Sequence, residues 1–392
     1  MVFVTYENMK SKDGFGKVLA VALAVTFVFV AGVITGRYVV SSPGLVKSEG
    51  GFEFGGMEGA SYIIFKEGSI YYARNGKTGA IDYSGTDASK VIQDAINALT
   101  NGGKISIKAG IYYLAFSLVL KSFVWLVGEG MWVVKLNSKI TDGAPIITTL
   151  GQDDVKPMHG VRISDLSIEG NGAEGDGIYF EFCVGESMIE NVRVVNVGAT
   201  GIHIHHSYGM TIRNVWVNNN GGYGIFMEDR SQASRIEDSW VEGNGNYGIY
   251  ITSRGNYHIT GVISQNNVNG DLYLDFVHST AVINSHFERN IAGVFITINH
   301  TAGTNYARSI TIMSCYFNGA ERMDVDAIVV DRGQGITIQG NYIYAVNNGI
   351  HWKSASRWGL SINNHFMTIG NRAIWDEGTN NKAIVEEQYF NH

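Results

Sequence analysis

The sequence is poor in the two residue types that most restrict a chain, with 3 proline and 2 cysteine among 392 residues. So few cysteines exclude a small fold held together by disulfide bonds. Turns must instead come from asparagine and from the 49 glycines, because both residue types tolerate positive φ. A hydrophobic fraction of 45% excludes an intrinsically disordered chain.

Positive charge is also scarce, since 29 Lys and Arg face 36 Asp and Glu, for a net charge of -7. A chain that binds nucleic acid through phosphates usually carries the opposite balance. We therefore expect no nucleic-acid partner. Long hydrophobic runs are absent apart from one near the N-terminus, which excludes a membrane protein with several spans.

The single hydrophobic run covers residues 18–36, VLAVALAVTFVFVAGVITG, and contains no charged residue. As a helix it would extend about 28 Å, close to the ~30 Å hydrocarbon core of a bilayer. Lys10, Lys12 and Lys17 precede it and favour a cytoplasmic N-terminus with the rest of the chain exported. A cleaved signal peptide is the alternative interpretation.

These features divide the chain into three parts. Residues 1–40 are interpreted as a cytoplasmic tail and a transmembrane anchor or signal segment, and residues 41–60 as a glycine-rich linker. Residues 61–392 form the folded domain, which begins with a β-hairpin in residues 61–85. The domain is expected outside the cell, either anchored to the membrane or secreted.

A pattern of about 23 residues recurs from residue 160 onward, and it contains two apolar series. The first series is Ile163, Ile189, Ile212, Ile236, Ile259, Val282, Ile312, Ile338 and Ile362. The second series is Ile178, Ile202, Ile225, Ile249, Leu272, Val294, Ile328, Ile350 and Ile374. Short alternating segments bury their inner face only when successive repeats stack, at about 4.8 Å. The pattern predicts an all-β parallel β-helix of at least nine rungs.

Turn residues recur in step with these series. Two residues after each member of the first series stands a small or turn-forming residue, such as Asp165 or Asn191. A further asparagine follows eight residues after the first series in five repeats: Asn171, Asn220, Asn244, Asn267 and Asn290. Stacked asparagines can bond the backbone of neighbouring turns and satisfy groups that would otherwise lack partners.

The segment before the repeats predicts an amphipathic helix from Asp87 to Leu99 that caps the solenoid. The residues of this segment that carry a family signature are Asp87, Ile92, Gln93, Ala95, Ile96, Gly102, Gly103, Gly110, Tyr112 and the run Val127-Gly128-Glu129-Gly130. They resemble the entry signature of the pectate-lyase superfamily, which includes polysaccharide lyases, glycosidase-like proteins and viral tailspikes. The resemblance implies a right-handed single-stranded parallel β-helix over roughly residues 61–385. The family's proline before the glycine of the entry turn is replaced by Ala109.

One residue after each member of the second series, the side chain should point outward. These positions hold Tyr179, His203, Phe226, Tyr250, Tyr273, Phe295, Val329, His351 and Trp375. Aromatic faces stack on sugar rings, so the first six are predicted to bind a polysaccharide substrate. The alternative is that stacked rings only stabilise a solvated sheet face.

Carboxylates and a histidine stand two residues further along the same strands, at Glu181, His205, Glu228 and Asp275. They are the candidate catalytic residues. Glu181 and Glu228 would be about 9.6 Å apart, near the upper limit of the ~6.5–9.5 Å separation in inverting glycosidases. The motifs of polygalacturonases, pectate lyases and mannuronan epimerases are absent, so no role is transferred and catalysis is left open.

A second outward column runs through Ser167, Arg193, Trp216, Trp240, Ile263, His286, Tyr316, Tyr342 and Phe366. So broad an apolar stripe suggests a covered face. It is covered either by self-association, as in the trimeric tailspikes of the family, or by the chain's own loops.

Two further groups complete the sequence-based predictions. Asp324, Asp326 and Asp331 could hold Ca²⁺, but their spacing fits solvated charges better, so no metal and no cofactor is predicted. Cys183 and Cys315 should lie about five rungs apart, too far for the ~7 Å that a disulfide allows between Cα atoms.

Two hypotheses for the function remain. In the first, a cell-surface β-helix binds and processes a polysaccharide or surface glycan, as a lyase or glycosidase does. In the second, the same scaffold is a non-enzymatic structural or adhesive surface protein. In both, the membrane is contacted through residues 18–36.

Overall fold

A computed structural model describes residues 59–149, 156–301, 305–320, 324–384 and 389–390. The hydrophobic run of residues 18–36 and nearly all of the glycine-rich linker lie outside these residues. No helix within the described part is long and apolar enough to span a membrane.

The described residues contain one helix, α1 (Ala88–Ala98), and otherwise strands. In chain order the strands are β1 (Tyr62–Glu67), β2 (Ile70–Asn75), β3 (Ile81–Gly85), β4 (Gly103–Ile107), β5 (Gly110–Leu114), β6 (Leu118–Leu120), β7 (Val124–Gly128), β8 (Val134–Ser138), β9 (Ile147–Thr149), β10 (Met158–His159), β11 (Arg162–Glu169), β12 (Ile178–Glu181), β13 (Cys183–Val184), β14 (Met188–Val195), β15 (Ile202–His205), β16 (Thr211–Arg213), β17 (Trp216–Asn218), β18 (Ile225–Glu228), β19 (Ser234–Glu237), β20 (Trp240–Glu242), β21 (Tyr247–Thr252), β22 (Tyr257–Thr260), β23 (Ile263–Gln265), β24 (Gly270–Asp275), β25 (Ala281–Ile283), β26 (His286–Glu288), β27 (Gly293–Asn299), β28 (Ala307–Arg308), β29 (Thr311–Met313), β30 (Tyr316–Asn318), β31 (Val325–Val330), β32 (Gly333–Gln334), β33 (Thr337–Gln339), β34 (Tyr342–Trp352), β35 (Leu360–Ile362), β36 (His365–Asp376), β37 (Lys382–Ile384) and β38 (Tyr389–Phe390).

Most strands wind into a parallel solenoid of about 11 turns with three sheets. The first sheet stacks β4, β7, β11, β14, β16, β19, β22, β25, β29, β33, β35 and β37. The second stacks β5, β8, β11, β14, β17, β20, β23, β26, β30, β34, β36 and β38. The third stacks β6, β9, β12, β15, β18, β21, β24, β27, β31, β34 and β36. The predicted all-β solenoid is confirmed.

The first described residues form the predicted hairpin and extend it. Strands β1, β2 and β3 pair antiparallel in sequence order. Strand β1 also pairs parallel with β4, so this meander continues the first sheet of the solenoid.

Helix α1 follows the meander and matches the predicted segment. Asp87 caps its start, because the carboxylate Oδ1 accepts from the backbone N–H of Ser89 at 2.9 Å. Such a cap contributes about 1 kcal/mol. The apolar side of the helix, which includes Ile92 and Ile96, is fully buried in the core beneath the first strands.

The turns between the first and second sheets need a left-handed residue, as the sequence predicted. Positive φ occurs at Asp165, Asn191, Asn214, Asp238, Gly261, Asn284, Ser314 and Gly340. The side chains of this column also bond one another, since Asn191 Nδ2 donates to Asp165 Oδ1 at 2.9 Å. Asn214 Nδ2 donates in turn to Asn191 Oδ1 at 2.7 Å. After β35 the left-handed residue is Asn363, one position earlier than the series suggests.

A buried asparagine ladder follows the second sheet. Asn220 Nδ2 donates to Asn244 Oδ1 at 2.9 Å, and Asn244 Nδ2 donates to Asn267 Oδ1 at 2.8 Å. The predicted continuation at Asn290 is wrong. The fully buried Arg289 takes the next place, with Nη1 donating to the Asn267 carbonyl at 2.9 Å and lying 3.1 Å from Asp271 Oδ2.

Two positions of the predicted register are wrong. Leu272 pairs with Ile296 rather than with Val294, so Phe295 stands before the inward residue of its strand instead of after it, and it is fully buried. Its ring packs 5.7 Å from the ring of Phe317. Phe295 and Ile296 are both fully buried, so strict alternation between the two faces does not hold at this point of the strand.

Strand β35 and the start of β36 are displaced by one residue from the predicted register. Ile338 pairs with Ser361, and Tyr342 pairs with His365. Phe366, predicted to point outward in the second column, is therefore buried at 1% exposure.

The two cysteines are buried and free, as predicted. The Cys183 amide donates to Ser207 Oγ at 2.9 Å, and the Cys315 amide donates to Asn341 Oδ1 at 2.9 Å. The backbone amides of the two cysteines thus bond side chains of different types in different turns of the solenoid. Burial raises the pKa of the Cys183 thiol to about 12 and that of Cys315 to about 11, so both act as small core residues.

Candidate functional site

Five side chains form a continuous ring column on the outer face of the third sheet. Tyr179, His203, Phe226, Tyr250 and Tyr273 pair in register on β12, β15, β18, β21 and β24. Successive ring centroids are 4.9, 4.8, 5.3 and 5.0 Å apart. All five are half-buried, so each keeps part of its surface in contact with solvent. The predicted outward positions are confirmed for these residues.

Two tyrosines that the sequence analysis missed widen the ring column. The ring of Tyr223 lies 4.7 Å from Phe226 and 5.1 Å from Tyr250. The ring of Tyr247 lies 4.8 Å from Tyr273. Each precedes a Gly-Ile pair at the start of a strand. This repeated Tyr-Gly-Ile motif was the available signal.

The ring column does not include Phe295, which was predicted to bind substrate. Thr297 occupies the outward position next to Tyr273. Asn299 lies at the end of the same strand, and its Nδ2 donates to the Tyr273 hydroxyl at 2.9 Å. The run of consecutive rings on these rungs therefore ends at Tyr273.

At the other end of the ring column, His203 lies between two carboxylates. Its Nδ1 is 2.7 Å from Asp176 Oδ2, and its Nε2 is 3.0 Å from Glu228 Oε1. Burial lowers the pKa of His203, but the hydrogen bonds and charges of Asp176 and Glu228 outweigh it and raise the pKa to about 9. The hydrogen bond from His203 lowers the pKa of Glu228, although burial opposes it. His203 is thus an imidazolium and Glu228 a carboxylate at neutral pH.

His205 forms a second pair beside the first. Its Nδ1 lies 3.2 Å from Glu181 Oε1 and 3.2 Å from the Tyr179 hydroxyl. Burial and the neighbouring carboxylates raise the pKa of Tyr179 to about 12, so the phenol stays protonated. We call Asp176, Glu181, His203, His205 and Glu228 the carboxylate–histidine cluster.

The cluster contains three of the four predicted catalytic residues. Glu181, His205 and Glu228 pair in register on three consecutive rungs, although Glu228 contacts His203 rather than His205. Sequence reasoning missed Asp176, which lies in the turn before β12. Asp275 is not part of the cluster. It is buried, with Oδ1 accepting from the Thr301 amide at 2.8 Å and Oδ2 from Thr301 Oγ1 at 2.5 Å.

The residues directly after these strands adopt the left-handed conformation, with φ of 49° at Phe182, 47° at His206 and 40° at Asp229. This turn brings His206 Nδ1 to 2.9 Å from Asp229 Oδ2. His205 Nε2 lies 3.6 Å from the same oxygen. Within the described ranges, these three residues are the one group of His, Cys, Asp or Glu whose donor atoms all lie within 4.8 Å.

The aspartates considered for calcium bind other partners. Asp326 Oδ1 accepts from the Asn348 amide at 3.0 Å and from Asn348 Nδ2 at 2.8 Å. Asp331 Oδ2 lies 3.4 Å from Lys353 Nζ. They form no shared cluster among the residues that the structure describes.

The second sheet presents a separate aromatic surface, the tryptophan face, formed by Trp132, Trp216 and Trp240. The rings of Trp216 and Trp240 stack at 5.2 Å, and Trp132 meets Trp216 edge-on at 5.3 Å. They line a groove of about 540 Å³. Ser167, placed in this column by the sequence, is buried.

A family model described as a right-handed beta helix region matches residues 94–262, which agrees with the three stacked parallel sheets. The protein is a right-handed parallel β-helix. No sequence among the curated proteins matches this chain.

Several solved structures share the β-helix. The A-module of a mannuronan C-5 epimerase from Azotobacter vinelandii has a TM-score of 0.58 and 17% identity, covering 77% of this chain and 95% of the module. An alginate lyase from Paenibacillus sp. str. FPU-7 has a TM-score of 0.52 and 16% identity, covering 75% and 97%. The surface protein and adhesin PfbA of Streptococcus pneumoniae has a TM-score of 0.57 and 13% identity, covering 76% and 93%. At these identities the similarity concerns the fold.

Proposed function

We propose that the β-helix binds a polysaccharide outside the cell along the ring column. The proposal rests on one observation: rings on five successive rungs lie in register, in stacked or edge-on contact, and Tyr223 and Tyr247 widen this surface. At about 4.8 Å per rung the ring column extends about 19 Å. That length suits an extended oligosaccharide better than a single sugar, because sugar rings bind through stacking on aromatic faces.

The charge beside the ring column favours an uncharged glycan. Asp176 and Glu228 contact the imidazolium of His203, and two more carboxylates, Glu181 and Asp229, contact the neighbouring His205 and His206. Even if Arg230 is counted as a second cation, negative charge exceeds positive charge by two. A polyuronate would be repelled at this end. We therefore expect neutral glycans to bind more tightly than alginate-like polyanions.

Glycosidic hydrolysis is a second candidate function, supported by the carboxylate–histidine cluster. Glu181 and Glu228 lie two rungs apart, or about 9.6 Å along the stack, near the separation of an inverting pair. The lowered pKa of Glu228 suits a base that activates water, and Glu181 beside His205 would serve as the acid. If only binding is found, the non-enzymatic adhesive function is the one that holds.

A glycan array followed by calorimetry on the full-length protein tests the binding proposal. We expect Tyr223→Ala with Tyr250→Ala to weaken binding about 5-fold to 150-fold, at ~0.5–1.5 kcal/mol for each of the two rings. Tyr316→Ala is the matched control, because its half-buried ring lies on the second sheet. Unchanged affinity in the double variant would exclude the ring column as the binding site.

The hydrolysis candidate is tested on whichever glycan binds. Glu228→Gln and Glu181→Gln should each abolish release of reducing ends while affinity changes less than about 3-fold. Full turnover in both variants would remove the cluster from catalysis.

We also propose that the tryptophan face is the surface through which the protein self-associates as a trimer.

We further propose that residues 18–36 hold the β-helix at the outer side of the membrane. Resistance of the full-length protein to alkaline extraction from membranes would support this anchor. Complete release would contradict it.

A further inference from the structure

The edge of the carboxylate–histidine cluster carries an arrangement that polysaccharide binding does not require. We propose that His205, His206 and Asp229 bind one divalent transition-metal ion. His205 ends β15, His206 follows it in the turn, and Asp229 occupies the corresponding turn of the next rung. The proposal stands on this geometry alone and does not depend on the glycan.

The donor atoms are already spaced for a single ion. His206 Nδ1 and His205 Nε2 lie 2.9 and 3.6 Å from Asp229 Oδ2. With metal–ligand bonds of about 2.0–2.2 Å, two ligands at a right angle are about 3 Å apart and two at a tetrahedral angle about 3.4 Å. All three donor atoms lie within 4.8 Å of one another, so side-chain rotations can bring them onto one ion.

The Nδ1 atom of His206 has no hydrogen-bond partner, and a bond to a metal ion would satisfy it. It is buried and makes no hydrogen bond in the described structure, although Asp229 Oδ2 is only 2.9 Å away. The two atoms are close, but they are not aligned for a shared proton. An ion between them would pair the buried nitrogen lone pair and the carboxylate at the same time.

The second ring nitrogen of His205, Nδ1, contacts a carboxylate, as the nitrogen that does not bind the metal does in many metal sites. His205 Nδ1 lies 3.2 Å from Glu181 Oε1. When this nitrogen carries the proton and donates to the carboxylate, Nε2 keeps its lone pair facing Asp229. A carboxylate–histidine–metal arrangement of this kind fixes the tautomer and makes the histidine a stronger ligand.

Two imidazoles and one carboxylate select the class of metal. Ca²⁺ and Mg²⁺ prefer all-oxygen sites, whereas nitrogen ligands suit Zn²⁺ and its neighbours in the transition series. Three protein ligands leave coordination positions open. The sequence alone predicted no metal here, because two of the ligands lie in turns.

Calorimetric titration of the full-length, EDTA-treated protein with ZnCl₂ tests the proposal. We expect one equivalent of Zn²⁺, with Asp229→Asn and His206→Ala each weakening binding at least 100-fold. Glu181→Gln should weaken it about 10-fold to 100-fold, the usual effect of losing a carboxylate behind a histidine ligand. His286→Ala is the matched control. The His286 side chain lies on the second sheet, away from this cluster, and its Nε2 is 3.3 Å from Glu288 Oε2.

Circular dichroism on each metal-free variant verifies that the β-helix is intact. If His206→Ala does not fold, Asp229→Asn still tests the site, because it keeps the size of the side chain. Visible absorption of bound Co²⁺ gives a second readout of nitrogen ligation. Binding of less than half an equivalent of Zn²⁺, or equal affinity in Asp229→Asn, would overturn the proposal. Zn²⁺ binding does not depend on the tyrosines of the ring column. The outcome of the glycan experiment therefore does not decide the metal proposal, and each proposal can be refuted without the other.

Discussion

The surroundings of His203 differ from those of an ordinary surface histidine. Its side chain is 15% exposed, and both ring nitrogens contact carboxylates. The ring therefore serves two purposes, as one member of the ring column and as the positive charge that holds Asp176 and Glu228 together. The sequence analysis assigned it only the first.

The raised pKa of His203 makes stability depend on pH. Because the folded-state pKa is about 9 and the unfolded value about 6.5, the protonated ring stabilises the fold fully below pH ~6.5. That contribution, about 3 kcal/mol at most, should be lost as the pH rises through 9. Urea unfolding in EDTA across pH 6–10 measures it. His203→Gln should flatten this dependence, whereas His258→Gln, at an exposed position, should retain it.

At the scale of the structural element, the asparagine ladder ties each turn to the next. Asn244 Oδ1 accepts from the Asn220 amide at 3.1 Å and from Asn220 Nδ2 at 2.9 Å, and Asn244 Nδ2 also donates to the Val217 carbonyl at 3.2 Å. All of these groups are buried, so water cannot replace the lost partners. The ladder thus supports β17 and its neighbours from inside the turn.

Asn244→Ala should therefore destabilise the β-helix by about 3 kcal/mol, since it leaves several buried polar groups unpaired at ~1–3 kcal/mol each. Asn269→Ala is the control. It removes an exposed side-chain hydrogen bond, from Asn269 Nδ2 to Asn246 Oδ1 at 2.7 Å, and should cost less than about 0.5 kcal/mol. Equal urea midpoints for the two variants would contradict the proposed role of the ladder.

Elements with a single apolar face could be predicted from sequence, and those with two could not. Ile212 and Ile225 stand in clean alternation, so their rungs were placed correctly. Val294-Phe295-Ile296 offers three consecutive apolar residues, and the structure buries both Phe295, which packs against Phe317, and Ile296, an outcome that alternation does not predict. Contacts that arise from turns were also missed, because alternation says nothing about where a side chain such as Asp176 reaches.

At the scale of the whole solenoid, each turn touches mainly the turns before and after it. Stability in such a stack is close to a sum over neighbouring contacts. The first turns bury the apolar side of α1, whereas the side chains of β37 are all exposed and this strand pairs with β35. The two ends therefore differ in how much apolar surface supports them.

Hydrogen exchange should report this difference. Amides of β37 and β35 are expected to exchange at least 10-fold faster than those of β19 and β22, whose central isoleucines, Ile236 and Ile259, are buried. Mass spectrometry on peptic fragments provides the measurement. Uniform protection along the first sheet would mean that the stack opens only as one cooperative unit.

The buried pair of Arg289 and Asp271 has a consequence for how the rungs find one another. Rungs that all present isoleucine at the same positions could dock one turn out of place and still bury their apolar side chains. Both members of the pair have 0% exposed side chains, and a misaligned rung would leave each charge buried alone at a cost of about 3–5 kcal/mol. Among the rungs that the structure describes, the pair thus marks one position in an otherwise repetitive stack, and it makes the correct order of assembly distinguishable from alternatives shifted by one turn.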